Sequence, residues 1–174
     1  MVIVHSMGEL LRSGSDTCTA IERLTLKAPP PTWAGRWSRV SAHYYIEPNG
    51  TIIKIIDPDL RAWHAGKSAW GGTSGLNDCS VGFELGVAGE HNYGSFLQRI
   101  REPDCYSPAQ YEAAGWLTAR LVLRYDIPLD RIRGHSEVSG PDVRPDPKFD
   151  PGDGFSWRDY YGWITHYVVR EAPL

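Results

Sequence analysis

The chain has 174 residues, with 18 Lys and Arg against 21 Asp and Glu and 41% hydrophobic residues. That length suits one folded domain with a single core, which needs neither disulfides nor a metal merely to fold. A net charge of -3 without runs of like charge argues against nucleic acid or an anionic membrane as a partner, and no apolar stretch approaches the ~20 residues of a bilayer span.

Met1–Val4 runs into His5 too soon for the apolar region of a signal peptide, so the sequence carries no visible address and its compartment is open. The three cysteines, Cys18, Cys79 and Cys105, fit neither a disulfide scaffold nor a paired-cysteine zinc site, and read as thiols with room for one bridge. Seven Trp and nine Tyr exceed what a core of this size needs. Several stand in Gly-rich loops, where they can line a carbohydrate or peptide groove.

Val2-Ile3-Val4 predicts a short buried strand with His5 at its end and Ser6-Met7-Gly8 turning away. A helix is expected from about Thr17 to Lys27, stopped by the prolines of Ala28–Gly35. Ser41–Glu47 and Thr51–Ile56 form a predicted hairpin around Pro48-Asn49-Gly50. Asp57–Asp78 loses periodicity and gains Gly, Trp and His, which reads as a functional surface loop.

Ser80–Val87 alternates as a strand, with Val81, Phe83 and Leu85 on one face and Gly82, Glu84 and Gly86 on the other. Ser107-Pro108-Ala109-Gln110 starts a helix to about Arg124, Ser serving as N-cap and Gln completing a capping box. Arg131–His135 is a short strand, Ser136–Gly154 a loop, and Ser156 caps a last helix to about Val169. The expected fold is a single α/β domain over residues 1–174, a central mixed sheet flanked by helices.

His5 and His135 stand at predicted strand ends, where side chains converge on a shared cleft, and Asp150 stands in the turn Lys148-Phe149-Asp150-Pro151-Gly152. Two imidazoles and a carboxylate are a catalytic zinc's ligand set, because three protein ligands leave the fourth position open for water. Spacing alone is a weak signal and favours ordinary polar histidines satisfied by local hydrogen bonds.

Val2-Ile3-Val4-His5-Ser6, Val40–Ile46, Asn49-Gly50, Ala62–Ser68, Leu76-Asn77, Ser80–Leu85, Gly134-His135-Ser136 and Lys148–Gly152 together resemble the zinc-dependent N-acetylmuramoyl-L-alanine amidases of the amidase-2 type, a group that includes peptidoglycan recognition proteins and T7-like phage lysozymes. The resemblance extends from residue 2 to about 157. It implies hydrolysis of the amide between N-acetylmuramic acid and L-alanine in peptidoglycan or its fragments, with one Zn2+ held by His5, His135 and Asp150. Glu84 would handle the proton of the attacking water, and Lys148 would stand beside the developing oxyanion.

The loop with Trp63, His64 and Trp70, together with Asn77, resembles the family's substrate-side wall. His43 is expected only to brace the sheet, and His91 and His166 to be structural or solvent-facing. Met1 stands just ahead of the first strand, where family members often have further chain, which suggests a trimmed edge or a compact phage or prophage endolysin. The expected partner is a peptidoglycan or muropeptide substrate bound by a monomer. Two competing readings are a module that binds peptidoglycan without cleaving it and a zinc hydrolase of another amide or peptide bond.

Overall fold

The computed structural model describes residues 1–13, 16–25 and 40–171. Strand β1 (Val2–Ser13) is the axis of the sheet, and one of its edges pairs in parallel with β7 (Val81–His91) over most of their length. Its other partners are β8 (Ile132–Gly134), parallel to Val2–Val4, and β2 (Asp16–Thr19), antiparallel to the strand's far half. Beyond β7 lie β3 (Tyr44–Ile46), parallel to it, and β4 (Ile52–Lys54), antiparallel to β3. Parallel and antiparallel pairs together make the sheet mixed, with the order β2-β1-β7-β3-β4 and β8 alongside β1.

The pleat sends alternate residues to opposite faces. Val2, Val4, Val81, Phe83, Leu85 and Val87 meet helices α3 (Pro108–Tyr125) and α5 (Trp157–Glu171) through Leu117, Leu121, Tyr160 and Ile164, which makes this face the main core. Helix α3 starts where the sequence predicts, since the Ser107 hydroxyl accepts from the Gln110 amide while the Gln110 side chain accepts from the Ser107 amide. Gln110 is itself buried, and its amide group donates to the carbonyls of Ile46 and Gly86, tying the helix to the end of β3 and the middle of β7. Gly115 lets the two helices close together, because a Cβ there would lie 2.3 Å from the Cβ of Trp163.

The opposite face carries Ile3, His5, Gly82 and Glu84, and it is covered by chain with little regular structure. Ile3 packs with Ala65, Leu76 and Val138 there, and Tyr45 packs with Ala20 and Leu24 of α1 (Ala20–Thr25) and with Ala42. Between β4 and β7 the chain makes only the small hairpin of β5 (Ala69–Trp70) and β6 (Thr73–Ser74) and a 3-10 turn at Leu76–Asp78. Helix α4 (His135–Val138) follows β8 without a break. Among the described residues no helix is long and apolar enough to cross a membrane.

Several boundaries differ from those expected. Strand β1 does not turn away at Ser6-Met7-Gly8 but continues to Ser13 with a bulge between Gly8 and Leu10, because β7 also extends to His91 and offers a partner throughout. His5 therefore sits within the strand rather than at its end. Asp16–Thr19 pairs as β2 where helix was expected, and the helix occupies Ala20–Thr25. The expected helix end at Lys27 and the proline loop of residues 28–35 lie outside the described residues. Helix α2 (Tyr93–Arg99) was not anticipated, although Asn92 and Ser95 form a capping box at its start. All three cysteines are unpaired, so no bridge forms.

Candidate metal centre and its cleft

Register places the first two site residues side by side. His5 on β1 pairs with Glu84 on β7, so both side chains rise from the same face of the sheet. The third arrives where β8 ends, because Gly134 pairs with Val4 and His135 opens α4 next to that edge. The fourth is brought back by the long loop, in which Ser136 N donates to Asp150 O and Lys148 N donates to Ser139 O. The turn after Asp150 has little freedom. Gly152 adopts φ +87°, a Cβ on it would lie 2.3 Å from the Ile100 carbonyl oxygen, and Tyr106 donates to the Pro151 carbonyl at 2.6 Å.

The result is a tight cluster. One donor atom each from His5, His135 and Asp150 lies within 4.8 Å of the other two. Nδ1 of His135 is 3.0 Å and Nδ1 of His5 is 3.4 Å from Asp150 Oδ2, and the two imidazole centroids are 4.3 Å apart. Burial, followed by the neighbouring His135, pushes the His5 pKa down to about 4, which keeps its ring neutral. Burial alone would raise the Asp150 pKa, but His135 and His5 outweigh it and hold the carboxyl well below its usual range. Neutral imidazole and ionised carboxylate are the states in which these groups bind a metal, so the donor set fits a divalent cation.

Glu84 stands beside this cluster with the opposite perturbation. Burial, then the Asp150 charge, raises its pKa well above the ordinary carboxyl value. Its Oε2 is buried without a hydrogen-bond partner. Lys148 is half-buried, and its positive charge acts on both Glu84 and His5.

These groups open into a cleft of about 430 Å³ whose lining includes Glu84, His135, Lys148 and Asp150. Trp63 forms part of the wall, half exposed, with the Arg61 guanidinium 3.9 Å over its ring. Tyr93, Phe96 and Leu97 of α2, with Phe149, Lys67 and Arg144, also line it. Of these, only Lys67 lies in the loop that sequence reasoning placed at the wall; the rest were missed, and the one signal for α2 was the Asn92–Ser95 cap.

The remaining expected wall residues are placed differently. Trp70 lies against Ile3, Ala65, Leu76 and Val138 under the Arg133 guanidinium and does not line the cleft. His64 and Asn77 border the cleft but are buried, and both ring nitrogens of His64 and the side-chain oxygen of Asn77 are engaged by the protein. Asn77 Oδ1 accepts from the backbone amides of His64 and Ala65, and His64 Nδ1 lies 2.9 Å from His5 Nε2. His43 accepts from Gly82 N and bonds to the Leu60 carbonyl, bracing strand and loop as expected. His166 is exposed, and His91 bonds only to the nearby Ala88 carbonyl.

Comparison with known proteins agrees with this arrangement. Residues 1–153 match the family model described as N-acetylmuramoyl-L-alanine amidase. The 1,6-anhydro-N-acetylmuramyl-L-alanine amidase AmpD of Citrobacter freundii is 32% identical over 133 residues, which cover 76% of this chain and 62% of AmpD. The chain thus spans less than two thirds of that relative's length. A selenomethionine AmpD crystal structure superposes with a TM-score of 0.69 at 28% identity, covering 94% of this chain and 83% of the other. AmpDh3 from Pseudomonas aeruginosa, solved with an anhydromuramic pentapeptide, gives a TM-score of 0.65 at 27% identity and covers 93% and 58%. With the family's pattern matched from the first strand through the Asp150 turn, the chain belongs to the N-acetylmuramoyl-L-alanine amidase family.

Proposed function

We propose that the chain is a zinc-dependent amidase that hydrolyses the bond between N-acetylmuramic acid and L-alanine in peptidoglycan fragments. The observation that carries this reading is the convergence of His5, His135 and Asp150 in one cleft with the buried carboxyl of Glu84. His5, His135 and Asp150 would hold the ion. Bound there, zinc supplies Lewis acidity, which lowers the pKa of water and polarises the scissile carbonyl.

The rest falls to the protein. Glu84, with a pKa raised by burial, is suited to take a proton as water adds to the carbonyl carbon and to return it to the amine of L-alanine as the C–N bond breaks. Lys148 offers a positive charge in the same cleft, favouring a carbonyl oxygen that becomes anionic over one that is neutral. Trp63 and Phe149 give apolar faces against which a sugar or a stem residue can pack, and Lys67 offers a cation for a stem carboxylate. All of these groups belong to one chain, which suits a monomer.

AmpD is a 1,6-anhydro-N-acetylmuramyl-L-alanine amidase, and AmpDh3 was solved with an anhydromuramic pentapeptide, so soluble muropeptides are the favoured substrate class. Metal analysis with mass spectrometry of digested anhydromuropeptides and intact wall tests the proposal. The expected result is about one zinc per chain and products whose intact stem peptides carry a free L-alanine amine. Cleavage within the stem would make the protein a peptidase, and binding without products a recognition module.

A further inference from the structure

The two candidate ligand histidines point the same nitrogen at Asp150 and send the other nitrogen to neighbouring residues of one loop. His5 Nε2 meets His64 Nδ1 at 2.9 Å, and His135 Nε2 meets the Ala65 carbonyl oxygen at 3.3 Å. The amides of those same two residues are both held by Asn77 Oδ1, at 3.1 and 2.8 Å. We infer that the His64-Ala65 pair, clamped by Asn77, is a bracket that fixes the tautomer of both histidines with Nδ1 free for metal, which makes His64 and Asn77 positioning residues rather than substrate contacts. The inference rests on the metal reading above.

With a cation on the Asp150 side of both rings, where the carboxylate would otherwise accept from Nδ1, the hydrogen-bond directions follow from the groups that can act in only one way. A neutral imidazole has one N–H and one lone pair, so an acceptor opposite Nε2 forces the lone pair onto Nδ1. For His135 the acceptor is a carbonyl, which cannot donate. For His5 the partner is another imidazole, and its direction is settled further along. The Ser80 hydroxyl donates to the Leu76 carbonyl at 2.5 Å, which leaves the Ser80 oxygen to accept from His64 Nε2, 3.4 Å away. His64 then carries its proton on Nε2, its Nδ1 accepts, and His5 Nε2–H donates.

Space and solvent support the same assignment. His64 is 7% exposed, and its ring lies so close over Gly82 that a Cβ there would come within 2.2 Å of Nδ1. A ring held between strand and loop in this way suits bracing more than it suits meeting a substrate.

The test uses the zinc-loaded protein, with competition against a chromogenic chelator as one readout and long-range 1H–15N correlation of the imidazoles as the other. Both candidate ligand rings should carry their proton on Nε2. His64→Leu, which removes the acceptor, should weaken zinc binding by about 10- to 100-fold. His64→Asn, whose Oδ1 can stand near the lost Nδ1, should recover most of that loss. A proton on Nδ1 of either ring, a His64→Leu variant that binds zinc as tightly as the parent, or an Asn variant as weak as the Leu variant would each overturn the bracket. Where His64→Leu does not fold, the ring correlations of the unaltered protein decide. A parent protein that takes up no zinc overturns the metal reading itself, a result distinct from every outcome that concerns the bracket alone.

Discussion

Replacing Gly82 with alanine tests whether a missing side chain on β7 makes room for the metal centre's support. A Cβ at that position would lie 2.2, 2.5 and 2.6 Å from Nδ1, Cγ and Cε1 of His64, against ordinary contact near ~3.5 Å. The backbone cannot readily give way, because Gly82 N donates to His43 Nδ1 and Gly82 O accepts from His43 N. The imidazole must therefore retreat by about 1 Å, which stretches its 2.9 Å bond to His5 past the hydrogen-bonding limit. Overpacking costs ~1–3 kcal/mol, and leaving the buried His5 Nε2–H without a partner costs ~1–3 more, so ~2–6 kcal/mol is expected in all. For a chain of this size that lowers the melting temperature by roughly 5–20 °C. Urea and thermal unfolding read the stability, and chelator competition reads the metal site, which should weaken in parallel. Gly162→Ala in α5 is the internal control: a Cβ there meets nothing within 4 Å, so the change should stabilise by about 1 kcal/mol through helix propensity. If Gly82→Ala lies within ~0.5 kcal/mol of the parent and binds zinc normally, the steric argument for His64 fails.

Glu84→Gln should keep the fold and the metal while lowering turnover by ~10²–10⁴-fold, because an amide cannot take up the proton. Near-normal rates of muropeptide hydrolysis would move the general base elsewhere. Lys148→Ala should lower kcat and kcat/KM together by ~10²–10³-fold if the ammonium acts on the transition state. A raised KM at constant kcat would make it a ground-state contact instead. His135→Ala should lose tight zinc binding altogether, since two remaining donors cannot hold a catalytic site, and stoichiometric metal in that variant would disprove its role as ligand.

Much of this arrangement was legible from local chemistry. The Ser107–Gln110 cap, the Asn49-Gly50 hairpin and the alternation that puts Glu84 opposite Phe83 all depend on neighbours in sequence, and each appears where the residues indicate. What could not be read depends on distant partners. Strand β1 overrides a turn signal because β7 lies alongside it, and the bracing contacts of His64, which also borders the cleft, depend on Gly82 and His5, both distant in sequence. Trp70 misled for a similar reason, since an aromatic in a Gly-rich loop can face a ligand or plug a small core, and Ile3 and Leu76 supply the core. The walls contributed by α2 went unnoticed because seven residues leave too short a run for helical periodicity to show.

The double parallel pairing of β1 also bears on how the molecule comes together. A hairpin can zip from its turn, but Val2 finds its partners only at Val81 and Ile132, across intervening chain that must first be gathered in. Contacts of such separation slow folding toward the millisecond-to-second range. The cluster unites residues from the same distant segments, His5 on β1, His135 just after β8 and Asp150 in the turn behind α4. A cation that binds the finished cluster and not its scattered donors would therefore pull on the whole assembly at once, so that occupancy of one small site reports on the completion of the entire sheet.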